Sequence, residues 1–230
     1  MEHELKQKVE LRVGKAGPLR FISHHDMVRL VERAFRRAGL PLRLTAGYNA
    51  KPRIVLPLPL EVGTESMDEA VETELYDWVP VAEIRSRVAA ALPRHVPLHS
   101  VKLLPPRRQS QPPVEAYYEC RPDAAGLRVG AERIKEFMES DSIPWKRIRP
   151  DSEVALDLRK GVVELADENG VLKMRLKAGS GSVRPTEVLA WLTGDVSAAK
   201  LVPVKRVRTV LAPVELGGRP THKRRPGRQR

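Results

Sequence analysis

Cysteine is nearly absent from this 230-residue chain, in which Cys120 is the single example. One thiol cannot form an intramolecular disulfide, so a reducing compartment is expected. One thiol also cannot hold an iron–sulfur cluster, which takes several cysteine ligands. The sequence therefore excludes a disulfide-stapled fold and an iron–sulfur enzyme, and it predicts no cofactor.

Long apolar runs are also missing. The longest candidate, Ile54–Leu60, is interrupted by Pro57 and Pro59 and falls far short of the ~20 residues that cross a bilayer. Residues 1–17 alternate charged and apolar side chains and lack the apolar core of a signal peptide. These absences predict a soluble, cytoplasmic protein without a membrane partner.

Positive charge is abundant. Lys and Arg number 41 against 29 Asp and Glu, which gives a formal charge of +12. Residues 219–230 hold six of these cations and no apolar side chain beyond proline, so a disordered basic tail is predicted. The folded part remains basic without that tail, and its field attracts polyanions. RNA is the partner that this charge favours.

A proline-rich segment divides the chain. Leu104–Pro113 contains four prolines and no periodic apolar pattern, which is typical of an extended linker. The sequence therefore predicts a first domain at residues 1–104, a second at 114–212 and the basic tail at 213–230.

In the first half, alternation with period two predicts strands and a spacing of three to four predicts helices. The predicted strands are 8–13, 19–22, 53–58, 70–76 and 98–103, and the predicted helices are 24–38 and 81–92. Gly39 and Pro41 form a common helix stop. Residues 19–22 are a candidate second short strand after a turn at 14–18, and the order of the unit is β-α-β-β-α-β, the ferredoxin-like arrangement.

The second half repeats this order less regularly. Its predicted strands are 114–120, 145–148, 154–158, 162–165, 171–176 and 200–211, and its predicted helices are 132–139 and 186–192. Asn169 and Gly170 predict a hairpin turn. The predicted fold class is α+β, with two tandem ferredoxin-like units followed by the disordered tail.

The segment 17–52 contains the clearest functional signal, a capped helix flanked by cations. Ser23 suits the N-cap position, and Asp26 three residues later suits a capping box. The apolar residues at helical spacing are Met27, Leu30, Val31, Ala34, Phe35 and Ala38. The arginines that lie away from this apolar face are Arg29, Arg33, Arg36 and Arg37. Their stripe either binds phosphate groups or is an ordinary solvated face in which Glu32 pairs with Arg36.

Two histidines, His24 and His25, fall in the first helical turn, where free backbone N–H groups and the helix dipole favour anions. Lys15 and Arg20 precede the helix and add positive charge. This environment should lower the histidine pKa and keep a neutral imidazole available as a base. The pair could instead be purely structural. Metal binding is not predicted, because adjacent helical residues point about 100° apart.

A turn at 47–53 provides a second candidate surface. Tyr48 offers a flat face on which a base could stack, and Asn49, Lys51 and Arg53 lie beside it. The alternative is that Tyr48 packs against its own domain.

These runs carry a family resemblance. The sequence GPLRFISHHDMVRLVERAFRRAGLP, followed by AGYNAKPRIVLPLPLEVGTES, resembles the N-terminal signature of bacterial radical-SAM-linked proteins. That uncharacterised family is encoded beside, or fused to, cobalamin-binding radical-SAM proteins. The matching positions are Leu19, Arg20, Phe21, Ser23, His24, Asp26, Arg29, Arg33, Arg36, Arg37, Gly47, Asn49, Pro52 and Gly63.

The resemblance covers roughly residues 8–211 and is strongest over 17–66. The chain departs from the signature at Tyr48, where Phe is usual, and at Ala50-Lys51, where Pro-His is usual. The second departure removes a histidine and weakens any two-histidine catalytic scheme. What the resemblance implies is a radical-SAM protein as partner.

Three functions follow from these observations. The first is a non-catalytic accessory that binds RNA or a ribonucleoprotein and works with a radical-SAM partner. The second is a metal-independent endoribonuclease similar to CRISPR repeat-processing nucleases, in which His24 or His25 is the base and Lys15 or Arg20 stabilises the phosphorane. The third is a protein–protein adaptor for an acidic partner.

Overall fold

The first half follows the predicted alternation of strands and helices. The computed structural model describes residues 5–105, 110–149, 151–179 and 181–213. The elements of the first half are β1 (Gln7–Lys15), α1 (His24–Arg37), β2 (Ile54–Val55), β3 (Glu65–Leu75), α2 (Val81–Ala91) and β4 (Leu98–Leu104). The strand predicted at 8–13 and the helix predicted at 24–38 are both confirmed.

The second half contains more elements than the first. They are β5 (Pro113–Cys120), α3 (Ala131–Glu139), β6 (Pro144–Arg149), β7 (Ser152–Asp157), α4 (Leu158–Gly161), β8 (Val162–Glu168), β9 (Val171–Lys177), α5 (Pro185–Thr193), α6 (Val196–Ala199) and β10 (Val204–Leu211). The predicted hairpin turn joins β8 to β9, and both Asn169 (φ 56°) and Gly170 (φ 77°) have positive φ angles. Such angles are typical of the turns that match the twist of a hairpin.

One large sheet runs through both halves. Its strand order is β4-β1-β3-β10-β5-β9-β8, with β2 also paired to β3, while β6 and β7 form a separate hairpin. All neighbours in the large sheet are antiparallel except β3 and β10. The fold is therefore α+β, with a large, mostly antiparallel sheet and six α-helices among the described residues.

The same strand order occurs in each half. The first half is ordered β4-β1-β3-β2 and the second half β10-β5-β9-β8. In both, the last strand flanks the first, the first flanks the third, and the third flanks the second. The predicted tandem ferredoxin-like arrangement stays a prediction.

Each half packs its helices against one face of its part of the sheet. In the first half, Val9, Leu11 and Val13 of β1 meet Phe35 of α1 and Ile84 of α2. The core of the second half includes Phe137, Leu158, Leu172, Met174 and Leu189. None of the described helices is both long and apolar enough to cross a membrane.

Proline explains why two predicted strands are wrong or shortened. Residues 19–22 do not form a strand. Residues 19–21 belong to a 3-10 turn, Gly17–Phe21, in which Pro18 favours the first turn, and Ile22 caps its end. The strand predicted at 53–58 shrinks to Ile54–Val55. Pro52 and Pro57 flank these two residues, and proline has no N–H to donate to a neighbouring strand.

The last predicted strand, 200–211, also starts too early. Residues 196–199 form α6, Lys200 caps its C-terminus, and β10 begins only at Val204. Pro203 directly precedes that strand, and the restriction on its φ angle separates the helical turn from the extended segment.

The predicted linker begins at the end of β4 and ends at the start of β5. Residues 106–109 within it lie outside the described residues, as do residues 214–230 of the predicted tail. Ser110 is held in place, because its hydroxyl donates to Glu72 Oε2 at 2.5 Å and accepts from Lys8 Nζ at 3.5 Å. The linker and tail predictions therefore stay predictions.

The two halves meet where β3 and β10 pair in parallel, with Arg206 opposite Ser66. Arg206 is 1% exposed and Glu69 is 3% exposed. The Arg206 Nε donates to Glu69 Oε1 at 3.2 Å, and Nη2 donates to the Leu58 carbonyl oxygen at 3.1 Å. A buried ion pair thus connects strands from the two halves.

Removal of one partner should leave an uncompensated buried charge. We expect Arg206→Met to lower the free energy of unfolding by about 3–5 kcal/mol, measured by urea denaturation. The control is Lys146→Met, whose exposed pair with Glu153 spans 3.5 Å and should contribute no more than about 1 kcal/mol.

The double variant Arg206→Met/Glu69→Leu replaces both charges by apolar side chains. It should be more stable than Arg206→Met alone, because no unpaired carboxylate remains. An Arg206→Met variant as stable as the Lys146→Met control would contradict the structural importance of this pair.

Candidate nucleic-acid interface

The first turn of α1 is fixed by its cap. Ser23 has extended backbone angles, and its Oγ accepts a hydrogen bond from the Asp26 N–H at 3.2 Å. The same hydroxyl donates to Asp26 Oδ2 at 2.7 Å, and this hydrogen bond is the largest factor that lowers the pKa of Asp26. The predicted N-cap is confirmed, although the Asp26 carboxylate binds the Ser23 hydroxyl rather than a backbone N–H.

Three arginines form an exposed stripe on α1. Arg29, Arg33 and Arg37 follow one another at four-residue intervals and are all exposed. Arg29 is 3.5 Å from Asp26 in a pair whose two side chains are both largely exposed, and Arg37 Nη2 donates to the Ala91 carbonyl oxygen at 2.6 Å. Within the described part of the chain, Arg33 has no ion pair or hydrogen bond. The stripe is thus only weakly neutralised.

The neighbouring arginine behaves differently. Arg36 Nε lies 3.0 Å from Glu32 Oε1, one turn before it. This pair is the one that the sequence predicts, and it makes Arg36 part of an ordinary solvated helix face.

The turn around Tyr48 is closed at its base. The Thr45 N–H donates to the Lys51 carbonyl oxygen at 2.7 Å, and the Lys51 N–H donates to Thr45 Oγ1 at 3.0 Å. Tyr48 at the tip is completely exposed, and Asn49 is exposed beside it. The alternative that Tyr48 packs against its own domain is therefore wrong.

The last cation of this turn, Arg53, directly precedes β2. Arg53 is about half exposed and lies 3.8 Å from Glu74, whose carboxylate also accepts from Arg43 Nη1 at 2.8 Å. The next element, β2, contacts α1. The turn is therefore connected to α1 through β2.

Two of the predicted phosphate contacts do not belong to this exposed surface. Lys15 is 2% exposed, and its Nζ donates to the Ile22 carbonyl oxygen at 3.2 Å. Burial is the largest cause of its lowered pKa, and Arg206 lowers that pKa further while Glu69 opposes the change. Arg20 is half-buried and rests against Phe21, with 4.7 Å between its guanidinium carbon and the ring centroid.

The two histidines occupy different environments. His24 is half-buried and His25 is exposed, with their ring centroids 5.9 Å apart. The pKa of His24 is lowered, as the sequence predicts, but burial is the largest cause. Its charged neighbours include Lys15 and Arg206, which favour the neutral imidazole. Among the described residues no group of three or more His, Cys, Asp or Glu side chains could hold a metal.

Sequence reasoning missed Arg206 and Glu69, the partners that set the charge around His24. A signal was nonetheless present. Glu69 shares its side of β3 with Val71 and Leu75, and Arg206 shares its side of β10 with Val204. A charged residue at a core position of an alternating strand indicates a buried partner.

The comparison with known proteins defines the family. Residues 8–185 match the model of a family described as an uncharacterized protein conserved in bacteria, DUF2344. The chain belongs to this family. No curated protein matches the sequence.

Proposed function

We propose that this protein is an RNA- or ribonucleoprotein-binding accessory that works in the cytoplasm with a radical-SAM partner. The observation that carries the proposal is the exposed stripe of Arg29, Arg33 and Arg37, together with the turn before β2 whose tip is the fully exposed Tyr48. Cations that track a backbone and an aromatic ring that stacks on bases are the two usual components of single-stranded RNA binding.

The energetics favour contact with phosphate at this surface. An exposed ion pair such as Arg29 with Asp26 is worth little, so an RNA phosphate can replace the carboxylate at small cost. Arg33 requires no exchange of partners. Lys51 and Arg53 add exposed cations at the turn.

The fold supports the same proposal more generally. The two halves share one strand order, and this supports two tandem ferredoxin-like units. The radical-SAM partner is proposed from the family resemblance. Cys120 is a single buried thiol, so a radical cluster has to come from that partner.

The arginine stripe can be tested by its effect on salt dependence. The triple variant Arg29→Gln/Arg33→Gln/Arg37→Gln should bind single-stranded RNA more weakly and reduce the slope of log K against log salt by about 2, because ~0.7 is lost per phosphate contact. Filter binding at several salt concentrations gives both quantities.

The matched control removes the same charge elsewhere. Lys135, Lys146 and Lys160 have side chains that are 72%, 77% and 76% exposed on the second half, and all three are changed to Gln. Equal losses in the two triple variants would show that binding depends on net charge and not on α1. Competition between RNA and a purified acidic partner would then identify an adaptor.

Tyr48 provides a second test, because its exposed ring contributes nothing to the core. We expect Tyr48→Ala to weaken single-stranded RNA binding by about 1–3 kcal/mol, while Tyr48→Phe keeps the affinity, since stacking needs the ring and not the hydroxyl. Both variants should unfold at the wild-type temperature. An Ala variant with full affinity would remove Tyr48 from the interface.

A specific observation supports a second candidate, the metal-independent endoribonuclease. His24 and Lys15 are electrostatic neighbours, and the pKa of His24 is lowered, which favours a neutral base. His24 would take the proton of a 2′-hydroxyl, whose oxygen attacks the phosphorus. The 5′-oxygen leaves and takes a proton from water, which yields a cyclic phosphate.

Cleavage separates the two candidates. We expect the wild-type protein to bind RNA without cutting it, and His24→Gln/His25→Gln to change only binding, by about 1–2 kcal/mol. If the protein cuts RNA in the presence of a chelator, and the double variant slows cutting by about 10²–10⁴-fold with unchanged binding, the nuclease is the correct function.

A further inference from the structure

A groove of about 590 Å³ lies between the two halves. One wall is formed by residues 58–64 of the first half, and the other by the start of α5 and the segment before it. Its volume falls within the range of small-molecule sites.

The walls of the groove are partly apolar and partly polar. Leu58, Leu60 and Val183 are buried and line it. Glu61 also lines it, but Thr186 Oγ1 donates to this carboxylate at 2.9 Å, and burial is the largest cause of its raised pKa. Arg184 lies 3.7 Å from the same carboxylate and offsets part of its charge.

At one end, the groove reaches the buried ion pair that joins the halves. Leu58 and Tyr118 line the groove, and both are neighbours of Arg206. Arg206 Nη1 is buried and forms no hydrogen bond within the described residues. A buried guanidinium nitrogen without a hydrogen bond is unusual, and it is a free donor for an acceptor that reaches it.

Charged groups of both signs surround this point. Lys15 and Arg206 are buried cations beside the buried carboxylate of Glu69, and the Glu61 carboxylate that lines the groove also acts on Tyr118. His24 is nearby and favours its neutral form, and the N-terminus of the 14-residue α1 adds further positive potential. An oxyanion at this point would accept a hydrogen bond from the unpaired Arg206 Nη1.

We propose that the groove binds a small organic oxyanion, a phosphate or carboxylate on an apolar body, with its anionic group at the Tyr118 end. The Tyr118 hydroxyl donates to the anion, and Arg206 and Lys15 stabilise the negative charge from behind it. The apolar body lies against Leu58 and Leu60. This site does not depend on the proposed RNA surface.

Calorimetry on the full chain tests the site with three probes: inorganic phosphate, phenyl phosphate and phenylacetate. Phenyl phosphate should bind about tenfold more tightly than inorganic phosphate, because the ring buries apolar surface in the groove. Phenylacetate distinguishes a carboxylate site from a phosphate site. Binding of none of the three probes would overturn the proposal.

Three variants distinguish an effect of charge from an effect of misfolding, because two should weaken phenyl phosphate binding and one should strengthen it. Lys15→Met should weaken phenyl phosphate binding about tenfold, and Tyr118→Phe should weaken it by loss of one hydrogen bond. Glu61→Gln should strengthen binding, because it removes the negative charge of a carboxylate that lines the groove and acts on Tyr118. A variant that merely perturbs folding would weaken it instead. Equal affinity in the wild type and all three variants would also overturn the proposal.

Lys135→Met is the control, because its exposed side chain lies in α3 and should leave affinity unchanged. RNA binding is measured on the same proteins. Lys15→Met and Tyr118→Phe should keep their RNA affinity, so failure of the oxyanion site and failure of the RNA surface are separate results. Parallel loss of both activities in these variants would contradict two independent sites.

Discussion

The buried pair of Arg206 and Glu69 is the interaction on which the arrangement of the two halves depends. β3 and β10 pair over only two aligned positions, Lys205 with Glu65 and Arg206 with Ser66. So short a parallel contact contributes few backbone hydrogen bonds. Arg206 compensates for this by binding the Glu69 carboxylate and the Leu58 carbonyl of the first half. A single side chain of β10 thereby holds both a strand and a loop of the other half.

The Arg206–Glu69 pair also brings charged groups from the two ends of the chain close together. Arg206 comes from the end of the chain, and it influences the pKa of both Lys15 and His24 near the beginning. His24 therefore starts a helix whose outer face is solvated and whose first turn borders a buried cationic cluster. The same strand places Arg206 beside Tyr118, at the end of the groove between the halves.

Local pattern was sufficient to predict most elements, because α1 and β1 have strong periodicity and Ser23 is a typical cap. The errors in the predicted strands also had a local origin. Pro18, Pro52 and Pro203 have a fixed φ angle and no backbone N–H, and a hydropathy pattern does not reveal either restriction. The exposed arginines of α1 were predictable from spacing. The burial of Lys15 was not, because it depends on how Glu69 and Arg206 meet through sheet pairing across more than half of the chain.

The two groups of cations suit different anions for a physical reason. The arginines of α1 are solvated, so their attraction acts at a distance, is screened by salt and requires no particular geometry. That behaviour suits a long polyanion such as RNA. Lys15 and Arg206 are desolvated, so their charge is screened much less and acts over a short range. A polymer would have to dehydrate a stretch of its backbone to reach them, whereas a small oxyanion has to dehydrate a single anionic group. The basic character of the protein therefore divides into an exposed surface, which we propose for RNA, and a buried group of charges, which we propose for a small oxyanion.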